Sequence, residues 1–136
     1  HEGTCGLCSS LHDLAVYAET LDLTQPVRQC GLDTFGQGFD ALVGCLEALG
    51  FTRGCAQIWA YNTQNTRNQC LAICSALLDA PYHEPSGELN ECLRCDEEKS
   101  GPVFKGVAGR TRRNTGIANA LCRPCEEVNR LDHMYP

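Results

Sequence analysis

Large side chains are scarce in this chain. Aromatic residues make up 7% of its 136 residues, with a single tryptophan and a single methionine. A core built from such a sequence is short of bulky fillers, and small cores of this kind need additional staples. Long apolar runs are also missing. No stretch approaches the roughly 18 residues that a membrane-spanning helix requires, so no spanning segment is expected. Basic residues are few in the first two thirds. Residues 1–89 hold three (Arg28, Arg53, Arg67) against ten acidic ones, a balance of −7, and residues 90–136 hold eight against seven, a balance of +1. The net charge of −6 argues against a nucleic-acid binder, whose affinity rests on excess Lys and Arg facing phosphate.

Catalytic signatures are equally absent. There is no G-x-S-x-G, no H-E-x-x-H, no phosphate-binding P-loop and no Ser–His–Asp arrangement. No complete N-x-[ST] glycosylation sequon occurs. No histidine follows any C-x-x-C, because the next residues are Ser9, Asp96 and Glu126. That removes covalent c-type haem attachment, which reads C-x-x-C-H.

What the chain has in quantity is cysteine. Eleven cysteines in 136 residues approach the density of a disulfide scaffold. Thiols persist as disulfides in oxidising compartments, so a secreted or periplasmic setting is expected. His1 in first position reads as a terminus left by signal-peptide removal.

Helical periodicity dominates. Leu7, Leu11, Leu14, Ala15 and Ala18 place a first helix over 5–23, and Phe39, Leu42, Val43, Leu46 and Leu49 place a second over 38–49. Cys55, Trp59, Asn62, Thr66, Cys70, Ile73 and Leu77 form one stripe on a long helix over 52–80, with a weak point at residues 62–66. Further helices are expected over 90–99 and, briefly, over 117–121, with one more turn in the tail. Pro26 and Gly31 read as breaks. The expected fold is all-α: one domain over 1–136, a disulfide-stapled bundle of about four to five helices with an irregular C-terminal segment. Its one candidate subdivision is the loop 81–89.

The cysteines fall into four doublets, Cys5/Cys8, Cys70/Cys74, Cys92/Cys95 and Cys122/Cys125, and three singles, Cys30, Cys45 and Cys55. Spacings of three or four put both sulfurs on one helix face. Bridging within a doublet strains a regular helix, whereas two doublets on facing helices form a double clasp. The preferred pairing joins Cys5/Cys8 to Cys70/Cys74 and Cys92/Cys95 to Cys122/Cys125. Two of the singles pair, and Cys45, on an apolar helix face, is expected to be a buried, inert thiol.

Two metal readings stand beside this one. Cys92, Cys95, Cys122 and Cys125 form a C-x-x-C…C-x-x-C set that suits zinc or an iron–sulfur cluster. His1, through its amine and imidazole together with His12, His83 or His133, suits copper. A redox dithiol at Cys5–Cys8 lacks the preceding strand that such a motif needs. Arg110, Arg112 and Arg113 are candidates for an anion or for contact with a protein partner, including self-assembly through the acidic face of a neighbouring copy. Asp96–Glu97–Glu98 reads as a solvated helix face and Trp59 as core. The leading functional expectation is a non-catalytic exported protein acting through protein contacts, as a subunit of an extracellular or membrane-associated assembly. A metal-binding or electron-transfer protein is the alternative.

Overall fold

The computed structural model describes residues 5–110, 116–117 and 119–121. The described residues form six helices: α1 (Leu11–Glu19), α2 (Thr24–Asp33), α3 (Phe39–Ala48), α4 (Arg53–Ala76), α5 (Glu91–Lys99) and α6 (Gly101–Ala108). No strand is present among them, and the protein is a small all-α bundle held by disulfides.

α4 organises the rest. Its 24 residues extend about 36 Å at 1.5 Å per residue, and α2, α3, α5 and α6 all pack on it. The expected weak point at 62–66 carries no break. Its polar side chains are spent on the next elements instead: Asn62 donates to Asp96, Asn65 donates to the Lys99 carbonyl and to Ser100, and the Thr66 and Ser100 hydroxyls lie 2.7 Å apart. Residues that weaken an isolated helix by seeking other hydrogen bonds here find those bonds across the interface.

α1 is shorter at both ends than its apolar pattern implies. Ser10 caps it by accepting from the Asp13 amide at 3.0 Å. Residues 5–9 run instead along the end of α6, where the Leu7 and Cys8 amides donate to the Val107 and Ala108 carbonyls at 2.9 and 3.0 Å. Gly6 permits this approach, because a Cβ there would lie 2.3 Å from the Val107 carbonyl oxygen.

α2 was not expected. Pro26 occupies its third position, within the first turn, where the missing N–H has no intrahelical partner to lose. α6 also exceeds the expected helix count, with Pro102 again in the first turn. Conversely, Ile117 and Asn119–Leu121 are not helical. The Ala120 amide donates to the Leu21 carbonyl, a long-range bond in place of a helical one. The tail turn expected beyond residue 121 lies outside the described residues.

Four of the few aromatic residues are concentrated in one cluster. Phe51 stacks on Trp59 at 5.8 Å, Phe104 meets the edge of Trp59 at 4.7 Å, and Tyr17 packs edge-on to Phe51 at 5.6 Å. Trp59 Nε1 donates to the Tyr17 hydroxyl at 3.1 Å. Around this cluster lie Leu42, Val43, Leu46 and Ala56, all buried. One buried carboxylate supports the arrangement. Asp13 of α1 is fully buried and accepts from the Thr52 amide at 2.8 Å and the Thr52 hydroxyl at 2.9 Å. α4 therefore starts with a carboxylate from another helix at its N-terminus, where negative charge is favoured.

The disulfides among the described residues are Cys8–Cys55, Cys30–Cys45, Cys70–Cys95 and Cys74–Cys92. A double clasp exists, but it joins Cys70/Cys74 of α4 to Cys92/Cys95 of α5, not the doublets expected. Helix geometry explains the difference. Cys55 lies in the first turn of α4, about 22 Å along the axis from Cys70, so the segment that delivers Cys8 to Cys55 cannot also deliver Cys5 to Cys70. The crossed order, 70 with 95 and 74 with 92, is that of two antiparallel helices joined by a loop. Cys45 is not an inert thiol, because Cys30 bonds it and ties α2 to α3. Cys5 is exposed and free among the described residues.

Candidate functional site

A cavity of about 330 Å³ opens along one side of α4. Its lining is mostly apolar. α2 supplies one wall through Val27 and Leu32, and α5 and α6 supply the other through Leu93 and Phe104. Trp59 and Leu71 of α4 form part of its floor, and Leu121 reaches it from the segment after α6. Arg67 lies on the floor too, its guanidinium donating to the Gly31 carbonyl at 2.5 Å and resting 4.9 Å from the centre of the Phe35 ring.

The local sequence explains why this surface stays open. Gly31 brings α2 close to α4 at one point, where an added Cβ would stand 2.8 Å from the Thr63 methyl. On the other side the Cys74–Cys92 bridge, itself in the lining, locks α5 onto α4. Each wall is pinned at its base, and among the described residues the two walls do not meet over the floor. The loop between α4 and α5 is also secured. Tyr82 donates to Asp22 at 2.7 Å, and Asn90 donates to the Pro81 carbonyl at 2.8 Å. Burial, and then the bond to Asp22, push the Tyr82 phenol up to about 12.

One charged group stands out in the groove. Asp96 is half-buried, and its Oδ1 accepts from both Thr66 Oγ1 and Asn62 Nδ2. Burial raises its pKa above the ordinary carboxylate value, against the lowering effect of those two donors. Its neighbour Glu97 is held by Lys105 of α6 at 3.0 Å. The run Asp96–Glu97–Glu98 is thus not a solvated face as a whole: only Glu98 is exposed, and Asp96 turns toward α4. Trp59 belongs to the core cluster as expected, but its half-buried ring also faces the groove.

The other candidate residues are dispersed. Cys92 and Cys95 are each bonded to a cysteine of α4, so they offer no thiolates for the expected zinc or iron–sulfur set. The other half of that set, Cys122 and Cys125, lies outside the described residues. So do His1 and His133. His12 is engaged with the Gly50 carbonyl at 2.7 Å. Among the described residues no group of three or more His, Cys, Asp or Glu side chains is placed to hold a metal ion, and no helix is long and apolar enough to cross a membrane. Arg110 is half-buried, with its amide donating to Ser9 at 3.0 Å. Arg112 and Arg113 are not among the described residues.

Sequence reasoning missed the groove. Three of its residues, Trp59, Asn62 and Thr66, were legible as part of the α4 stripe, but α2 was not foreseen, and without its wall there is no groove.

A model of a family of unknown function, DUF8771, matches residues 39–131. The match takes in α3 to α6 and so covers Trp59, Asp96 and the double clasp. No curated protein and no solved structure matches the chain.

Proposed function

We propose that this chain, which belongs to the DUF8771 family of unknown function, is an exported, non-catalytic binding protein that holds a small, largely apolar molecule in the groove over α4. The observation that carries this reading is the groove itself. Its volume of about 330 Å³ falls at the lower end of the range of roughly 300–1,000 Å³ typical of small-molecule sites. Its mostly apolar lining with a few converging polar groups also matches such sites. Four disulfides support an oxidising setting and keep the walls preorganised, which lowers the cost of binding.

The single tryptophan, Trp59, lines the groove and serves as an internal reporter. Titration with the neutral apolar probe N-phenyl-1-naphthylamine is expected to quench Trp59 emission in a saturable, one-site manner. Leu71→Arg, which places a charge among the apolar lining away from the Gly31–Thr63 contact, is expected to weaken that binding at least tenfold. Absence of saturable quenching in the oxidised protein would count against the reading.

A second reading, contact with a protein partner, is favoured by a different feature. Leu32, Leu71 and Leu78 are exposed on the groove's edge, at 51%, 57% and 37%. A partner chain laid over the groove would bury them together. A complex isolated under native conditions that is lost when Leu32, Leu71 and Leu78 are replaced by serine is its test.

A further inference from the structure

We propose that the molecule held in the groove is an organic cation: an apolar body carrying an amine whose ammonium docks on Asp96. This rests on the groove being a ligand site and adds the chemistry of the ligand.

Asp96 lines the groove with hydrogen-bond donors beside it but no ion-pair partner among the described residues. Its Oδ1 accepts from Thr66 and Asn62. No ion pair reaches the carboxylate among the described residues. The cations along the same groove are committed elsewhere. Lys105 holds Glu97 at 3.0 Å. Arg67 holds the Gly31 carbonyl and lies over Phe35. Arg28 donates to the Leu78 carbonyl at 2.8 Å. A carboxylate withdrawn from water is stabilised chiefly by an opposite charge or strong donors. Here the donors come from the protein, and the opposite charge can come from a ligand.

The second element is the aromatic edge beside it. Asn62 lies one turn beyond Trp59, so the two share a helix face. Phe104 meets the Trp59 ring at 4.7 Å, and both rings line the groove. An ammonium near Asp96 therefore approaches aromatic faces, and cation–π attraction adds to the ion pair when water is excluded. The apolar body extends toward Val27 and Leu71. An anionic ligand would instead be repelled by Asp96 and drawn to Arg28 and Arg67, which also line the groove.

Three probes with one body separate the possibilities: 4-phenylbutylamine, 4-phenylbutanol and 4-phenylbutanoic acid. Binding to the full, oxidised chain is measured by calorimetry and Trp59 emission. The amine is expected to bind at least tenfold more tightly than the alcohol, as a charge-assisted hydrogen bond requires, and the acid more weakly than either. In Asp96→Asn, which retains an acceptor for Thr66 and Asn62, the amine-to-alcohol ratio is expected to fall to near one, with circular dichroism reporting the fold. In the unsubstituted protein the ratio is expected to fall as pH drops and Asp96 takes up its proton, with Glu97, Lys105, Arg67 and Arg28 as the other charged groups facing the groove. Equal binding of amine and alcohol, or tightest binding of the acid, would overturn the cation assignment and leave the groove reading standing. Binding of none of the three would overturn both.

Discussion

The double clasp between α4 and α5 permits a quantitative test of how the fold is held. Cys74–Cys92 spans 18 residues and Cys70–Cys95 spans 25. The bridges are nested. Closing an 18-residue loop in the unfolded chain is worth about 3 kcal/mol on the chain-entropy model, and closing one of 25 slightly more. With one bridge in place, however, the other closes only the short circuit of four steps along α4 and three along α5. A loop that short is worth about 2 kcal/mol. Replacing either cysteine pair by alanines is therefore expected to cost about 2 kcal/mol from loop entropy. Replacing both is expected to cost between about 5 and 6 kcal/mol, exceeding the sum of the single losses by about 1 kcal/mol. Packing losses at the four sites are common to the single and double variants and cancel in the cycle. Guanidinium unfolding followed by Trp59 emission measures all four proteins. A double variant whose loss equals or falls short of the sum would refute the nested-loop reasoning.

Three further outcomes follow from single residues. Asp13→Ala removes the acceptor for the Thr52 amide and hydroxyl at the start of α4 and is expected to cost about 3 kcal/mol in denaturant unfolding, since hydrogen bonds to charged groups contribute most; Asp13→Asn should recover part of it. Asp96 has a folded pKa raised chiefly by burial, so its contribution to stability is full below the unfolded value near 4 and is lost as pH rises through the folded value. Asp96→Asn is accordingly expected to be more stable than the parent at neutral pH, with the advantage shrinking as pH falls, as thermal unfolding across pH would record. Tyr82, raised to about 12 by burial and then by Asp22, contributes stability that is full below about 10 and is lost as pH rises through its folded value. Asp22→Asn should lower the Tyr82 phenol only partway, read from phenolate absorbance against a Tyr82→Phe control.

Particular elements show how much was legible before the structure. α3 and α5 fall within a residue of the expected spans, 38–49 and 90–99, and the Asn90 side chain caps the start of α5. Both are short helices whose ends are decided locally. α2 was hidden because Pro26 reads as a break along the chain and is harmless only once the helix start is known. α1 was overextended because the apolar run of residues 7–18 continues through a segment whose backbone bonds go to α6. The polar middle of α4 read as a weakness, and is in fact the interface that seats α5 and α6.

The proposed site divides along the same line. Composition alone called for a small protein stapled by disulfides, because few bulky residues and many cysteines leave little other way to stabilise 136 residues. Helical spacing alone called for doublets that clasp across helices. Which doublets meet was decided by distance along α4, a property of the folded helix and not of the spacing. The groove, the half-buried Asp96 within it and the carboxylate of Asp13 at the start of α4 arise from residues brought together over 30 or more positions. Local pattern carries the period of a helix and the signals at its ends. It does not carry which faces are left uncovered when the six described helices pack, and that is where the proposed binding surface lies.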